Sequence, residues 1–185
     1  MIRVLKRCTA IVLGEYALYQ VWRSPKEPPS FATPAGFTVC EVSEGQLRSA
    51  YANELSSSAW YLGEDACGFA AVRDGEMLAL ACCWWGSRYL KRHSWPLPDG
   101  AAKIVHVFTL PQARGMGLAP LLLEHARATL QCRGRSPLYA RIWHSNTPSL
   151  RAFARAKWQP VGWLIQVNPL RRARPWRFIF RNRAT

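Results

Sequence analysis

The chain has 185 residues, 49% hydrophobic and 12% aromatic, enough for one substantial core and too few for two ordinary domains. Twenty-five lysines and arginines against eleven acids leave a formal net charge of +14, a field that favours polyanions and says nothing about fold. No stretch reaches the ~18 uninterrupted apolar residues of a membrane-spanning helix. The six cysteines form no CxxC pair and no zinc-type spacing with the four histidines, so no metal site is expected and the thiols read as reduced, mostly buried and cytoplasmic.

The first apolar stretch, Cys8 to Trp22, follows Arg3, Lys6 and Arg7 but is interrupted by Glu15 and Gln20. An acidic residue inside the run and no small-x-small pattern after it argue against a cleaved leader, so the segment is expected to be retained, and it reads as a helix. Its cations around Ile2, Leu5, Val12, Tyr16 and Tyr19 suit a membrane surface, and equally a helix packed across the domain or a dimer interface. Arg23 to Pro34 carries four prolines and reads as a linker, which divides the chain into residues 1–34 and a main domain over 35–185.

From Gly36 onward the periodicity alternates between two and 3.6. GFTVCEV predicts a strand, and Glu44 to Leu55 a helix capped by Ser43 with Leu47, Ala50, Tyr51 and Leu55 on one face. Cys67 to Gly86 predicts a hairpin about an Asp74-Gly75 turn, and Ser87 to Gly100, polar with two prolines, a loop. AAKIVHVFTL reads as a buried strand, Leu118 to Arg133 as a helix ending at Gly134, PLYARIWHS as a strand and SLRAFARAKW as a helix. VGWLIQV and WRFIFR follow as two closing strands. Helices interleaved with a mixed sheet make an α/β (α+β) domain.

The chemistry concentrates in Arg114-Gly115-Met116-Gly117-Leu118-Ala119, between a buried strand and a helix. Two glycines let backbone approach a ligand closely, and the amides opening the helix lack partners and carry the positive end of its dipole. Together they make a cradle for a diphosphate, with Arg114 adding a fixed charge; Pro120 has no N–H, so the donors come before it. A Walker A loop would need Gly-Lys-Ser/Thr, and a dinucleotide fingerprint GxGxxG near the start of its domain.

The hexapeptide resembles the acetyl-CoA signature R/Q-x-x-G-x-G/A of the GCN5-related N-acetyltransferase (GNAT) family, and VFTLPQA resembles the strand end leading into it. Asn146-Thr-Pro-Ser149, then a helix, Lys157-Trp158 and a strand, resembles the family's second signature. The resemblance covers about Gly36 to Arg181 and implies a mixed central sheet flanked by helices and splayed between AAKIVHVFTL and PLYARIWHS. It further implies acetyl-CoA as acyl donor. Amides near Phe108, Thr109 and Leu110 would hold the pantetheine arm, Arg114 to Ala119 the diphosphate, and Asn146 and Ser149 the arm from the other side. Asn146 is also a plain helix N-cap, and both roles are compatible. The chain departs from the family at Phe153, seven residues after Asn146, where a tyrosine commonly protonates the leaving thiolate, and at Lys157, where glycine is common.

His106 and His144 are the candidate general bases. Strict alternation puts His106 with Phe108 and Leu110, whereas the family's bases more often lie on the Lys103, Val105, Val107 face, so His144 ranks slightly higher and His106 reads equally as a core histidine. Trp84, Trp85 and Trp95 flank the Ser87 to Gly100 loop, where they suit a sugar ring, lipid or base, or plain packing. The expected function is acetyl transfer to the primary amine of a small or sugar-linked acceptor, in a cytoplasmic protein open to contact with the inner membrane face and to homodimerisation. An acyl carrier protein or longer acyl-CoA as donor is one alternative. The other is a non-catalytic module binding nucleic acid or anionic lipid through the six arginines of Arg171 to Arg183.

Overall fold

The computed structural model describes residues 15–27, 33–91, 95–168 and 176–182. Its strands are β1 (Glu15–Arg23), β2 (Thr38–Val42), β3 (Ala66–Arg73), β4 (Glu76–Trp84), β5 (Ala102–Thr109), β6 (Leu138–Trp143), β7 (Gln159–Asn168) and β8 (Trp176–Arg181). The α-helices are α1 (Glu44–Arg48), α2 (Asn53–Ser56), α3 (Gly86–Lys91), α4 (Leu118–Cys132) and α5 (Thr147–Arg155), with 3₁₀ turns at Ala59–Tyr61 and Pro111–Ala113. The strands form one eight-stranded sheet in the order β2-β3-β4-β5-β6-β1-β7-β8, antiparallel except for the β5–β6 pair. This is the mixed α/β sheet flanked by helices that the sequence predicts.

The β3–β4 hairpin turns at Asp74 and Gly75, both at positive φ (52° and 81°), the geometry a two-residue primed turn demands and Asp-Gly supplies. Helix α4 packs on one face of β3, β4 and β5, where the His125 ring meets the Phe69 edge at 5.3 Å. Helix α5 sits beside it, with Phe153 against Trp22. The 3₁₀ turn Ala59–Tyr61 lies on the opposite face: a Cβ added at Gly68 would come within 2.8 Å of Leu62, so the glycine admits that close approach. Leu47, Leu55, Phe69, Leu80, Leu122, Leu130 and Leu138 are fully buried between these layers.

Three expectations of secondary structure are corrected. Glu15–Arg23 is a strand and not a helix, seated between β6 and β7 and hydrogen-bonded to both; residues 1–14 lie outside the described residues. Tyr16, Tyr19, Val21 and Trp22 are strand formers, and ladders on both edges plus burial of Val21 and Trp22 outweigh any helical period. The attachment continues into the stretch read as a linker, since Ser24 N donates to Leu138 O at 2.8 Å and Ser24 Oγ accepts from Leu138 N at 3.1 Å.

The single helix over Glu44–Leu55 is two short ones. Ser43 and Gln46 close a capping box, but the helix stops at Ser49, and Tyr51, expected on the apolar face, is fully exposed. The loop over Ser87–Gly100 likewise contains α3, whose first turn is held by Asp65: its carboxylate accepts from Ser87 N and Ser87 Oγ at 2.8 and 2.9 Å. Cys67, Cys82 and Cys83 are buried while Cys40 and Cys132 are exposed, and burial pushes the Cys82 and Cys83 thiols up.

Because Trp22 is 7% exposed and edge-packed on Phe153, Trp22→Ala is expected to cost about 3–5 kcal/mol of unfolding free energy in urea denaturation. A cost under ~1 kcal/mol would mean that β1 lies outside the cooperative core.

Candidate active site

The site begins where two strands part. β5 and β6 pair only at Ala102↔Leu138, Lys103↔Tyr139 and Ile104↔Ala140. Beyond these three, a cleft of about 200 Å³ opens, walled by Ile104 to Val107 on one strand and Ala140 to Trp143 on the other, with Asn146, Ser149 and Phe153 closing one end. A β-bulge lies at the same place: Cys82 pairs with His106 while Cys83 pairs with Ile104, so Val105 is the extra residue. The bulge bends β5 and shifts the phase of its side chains. Lys103 pairs with Trp84 and His106 with Cys82, two β4 residues of the same face, so Lys103 and His106 share that face.

The expectation that His106 lies opposite Lys103 is thereby corrected. His106 lines the cleft; its ring stacks on Tyr61 at 4.5 Å and its Nε2 lies 3.1 Å from Ser58 Oγ. His144 is exposed beside Trp143, and its backbone N donates to Leu18 O at 3.0 Å. Ser58 Oγ also bonds Glu54 O at 2.9 Å, which takes its single proton. Ser58 therefore accepts from His106 Nε2–H, and Nδ1 keeps its lone pair. Burial holds the His106 pKa below the usual histidine value, so the ring is neutral at neutral pH.

The backbone of β5 supplies donors. Leu110 N is spent on Leu78 O at 2.9 Å, which removes it from the amides expected to face a ligand. Because amides alternate along an antiparallel strand, Phe108 N also points to β4, whereas Val107 N and Thr109 N point across the cleft where β6 has withdrawn. Val107 is a contributor that the sequence reading missed.

Along the same cleft edge runs a groove of about 630 Å³. One wall is Arg114, Gly115, Gly117 and the start of α4; the other is Pro148, Ser149 and one side of α5. Gly115 and Gly117 have φ of 84° and 79°, and a Cβ at either would meet nothing within 4 Å. Their cost to any other residue is therefore backbone strain, and the space over them is open to a ligand. Arg114 is anchored by Nε donating to Thr109 O at 3.3 Å. Phe108, Thr109, Leu118, Ala119 and Ser149 line the groove; Leu110 and Met116 do not. Asn146 caps α5, its Oδ1 accepting from Ser149 N at 3.2 Å, and also lines the cleft. Arg151 and Arg155 face the groove one helical turn apart, and their i,i+4 spacing on the second-signature helix was the signal available for them.

Of the three tryptophans weighed for an acceptor wall or plain packing, Trp84 joins Trp60 and Tyr61 in an aromatic cluster, its Nε1 donating to Tyr61 O at 2.7 Å. Trp95 is instead buried against Val21 and Leu164, and Trp85 lies under the Arg135 guanidinium. Trp60, Trp84, Ser87, Arg88 and Lys91 line a further cavity of about 320 Å³.

The family model for acetyltransferases of the GNAT family matches residues 26–158. The chain belongs to this family, whose members use acetyl-CoA or another acyl-CoA as donor. No curated protein matches the chain in sequence. Among solved structures it is similar to a GNAT-family acetyltransferase of Novosphingobium aromaticivorans, at 19% identity and TM-score 0.57 over 83% of this chain and 64% of that one. A GNAT-family acetyltransferase of Colwellia psychrerythraea gives 12% identity and TM-score 0.61 over 89% and 60%. A GCN5-related N-acetyltransferase of Kribbella flavida gives 19% and 0.52 over 78% and 55%. At these identities the likeness is one of fold, and the chain spans 55% to 64% of the length of these three proteins.

Lys157, where the family often has glycine, follows α5 with φ 59°. The left-handed position after a helix favours glycine. Lys157→Gly is expected to stabilise by about 1 kcal/mol, the relief of strain exceeding glycine's added chain entropy. A fall in Tm would show that the lysine side chain makes contacts worth more than the strain.

Proposed function

We propose that the protein transfers an acyl group, acetyl first among the options, from acyl-CoA to the primary amine of an acceptor. The observation that carries this reading is continuity: the groove over Gly115 and Gly117 and the cleft between β5 and β6 share Val107 and Ser149, forming one path from cradle to His106. The fit to CoA is chemical as well as spatial. Arg114, Arg151 and Arg155 and the amide end of α4 surround the part of the path a diphosphate would fill, and the cleft beyond is narrow enough for an extended arm.

Bound CoA would supply the activated thioester; the protein's residues supply position and proton transfer. Val107 N and Thr109 N are free of β6 and aim at the place where a thioester carbonyl would gain charge. His106 Nδ1 takes a proton from the attacking ammonium or amine, and Ser58 and Tyr61 fix the ring that does so. Phe153 gives the leaving thiolate no proton, so solvent does. Most of the acceleration then comes from holding amine and thioester together.

Gly117→Asp places a carboxylate where the diphosphate would lie. Titration calorimetry with CoA is expected to lose the binding signal while the melting curve stays cooperative; undiminished affinity would remove the cradle from the reading.

His106→Ala is expected to lower kcat by about 10²–10⁴-fold. The parent's kcat/KM should fall as pH drops through the His106 pKa, which burial places below its usual value of 6.5, and this acid limb should vanish in the variant. An unchanged limb would assign the proton to another group.

A further inference from the structure

Resting on the acyl-CoA reading above, we propose that Arg151 and Arg155 of α5 form a subsite for a third phosphate, so that the donor is recognised by the 3′-phosphate of its nucleotide as well as by its diphosphate. The two walls of the groove carry separate sets of charge. On the α4 side, the amide end of the helix and Arg114 supply what a diphosphate needs. On the α5 side, Pro148, Arg151, Ala152 and Arg155 line the groove, and their spacing of i, i+3, i+4 and i+7 sets all four on one stripe of the helix. Two cations thus stand on this wall in addition to the one that serves the cradle. The groove, at about 630 Å³, lies well inside the range of about 300–1,000 Å³ for pockets that hold whole ligands, more than a diphosphate alone would fill.

The fold does not account for this pair. Both arginines are exposed, α5 itself carries no acid, and none of the ion pairs among the described residues includes either of them. The helix dipole favours a cation in the last turn, which suits Arg155 but gives no reason for Arg151 in the middle of the helix. Like charges at i,i+4 repel along a helix, so the pair is unfavourable until an anion lies between its members. Ala152, the small residue between them on the stripe, leaves room for one. A phosphate monoester matches that demand, with a charge of about −1.5 to −2 at neutral pH and three acceptor oxygens for two guanidinium forks. Dephospho-CoA and the phosphopantetheine arm of a carrier protein both lack such a monoester. The pair therefore selects free acyl-CoA over either of them.

The test is titration calorimetry of CoA against 3′-dephospho-CoA, on the full-length parent and on the Arg151→Gln, Arg155→Gln and double variants, with melting curves to check folding. In the parent, dephospho-CoA is expected to bind about tenfold or more weakly, the loss of charge-assisted hydrogen bonds. That preference should shrink as pH falls through about 6, where the monoester takes up a proton. In the double variant CoA should lose most of the same factor while dephospho-CoA changes less than about threefold, because the two ligands differ only in the group the arginines hold. The single variants should fall between. Equal affinity of the parent for both ligands, or an equal loss of both in the double variant, would overturn the subsite. Tighter binding of a phosphopantetheine-loaded carrier protein than of CoA would overturn it too, and would assign the arginines to a protein surface. A parent that binds neither CoA nor dephospho-CoA would instead fault the acyltransferase reading.

Discussion

Everything distinctive in this molecule follows from a ladder that stops. Three residue pairs join β5 to β6, and then the strands separate within a continuous sheet. An interrupted ladder leaves backbone donors without strand partners, which is costly in a buried setting unless something else takes them up. Here Val107 N and Thr109 N are left facing a cleft, so the sheet itself creates a demand for an extended ligand with acceptor groups. The bulge at Val105 is part of the same device. It re-aims the side chains of β5, so that His106 reaches the face where Ser58 and Tyr61 hold it.

A strand that has lost one neighbour must be held by the other. β6 pairs with β1 from Tyr19↔Trp143 to Arg23↔Tyr139, the full length over which it has left β5. β1 in turn runs beside β7 over nearly its whole length. The cleft thus has one wall anchored in the β3–β4–β5 half and one in the β6–β1–β7 half, and its width is set by bridging elements. α5 is one bridge: its N-cap Asn146 and its Phe153 line the cleft, and Phe153 packs on Trp22 of β1. The segment around Trp95 is another, covering β1 and β7 through Val21 and Leu164 and touching Lys103 of β5.

The sequence made the cradle legible and left its neighbours obscure, for reasons that differ residue by residue. Arg114 to Ala119 announce themselves because glycine at positive φ, a helix start and a cation must occur in that order for the local geometry to exist. The Asp74-Gly75 turn and the Ser43 cap are local in the same sense. β1 was illegible because its state is decided by partners over a hundred residues away, and nine residues with mixed periodicity hold no local clue to that pairing. The bulge was illegible because one inserted residue leaves no mark in an apolar run, yet it moves His106 to the other face. Glu44–Leu55 failed as one helix because Ser49 and Ala50 turn the chain before the apolar stripe is complete.

The absent tyrosine and the inserted strand belong together. Phe153 is 4% exposed, edge-on to Trp22 at 6.4 Å and to Trp158 at 4.9 Å. Trp22 is a β1 residue, so the apolar partner that packs on this ring comes from the strand that secures β6. A hydroxyl placed among indole rings must find a hydrogen-bond partner or carry the cost of having none. Phenylalanine avoids that demand and lets the ring serve as a structural tie between α5 and β1. On the acyl-transfer reading proposed above, the missing proton donor is offset by rigidity in the cleft wall, since holding the two reactants together supplies most of the acceleration. On that same proposed reading, the polar groups left to the cleft are the amides of Val107 and Thr109 on one side and His106 with its Ser58 support on the other.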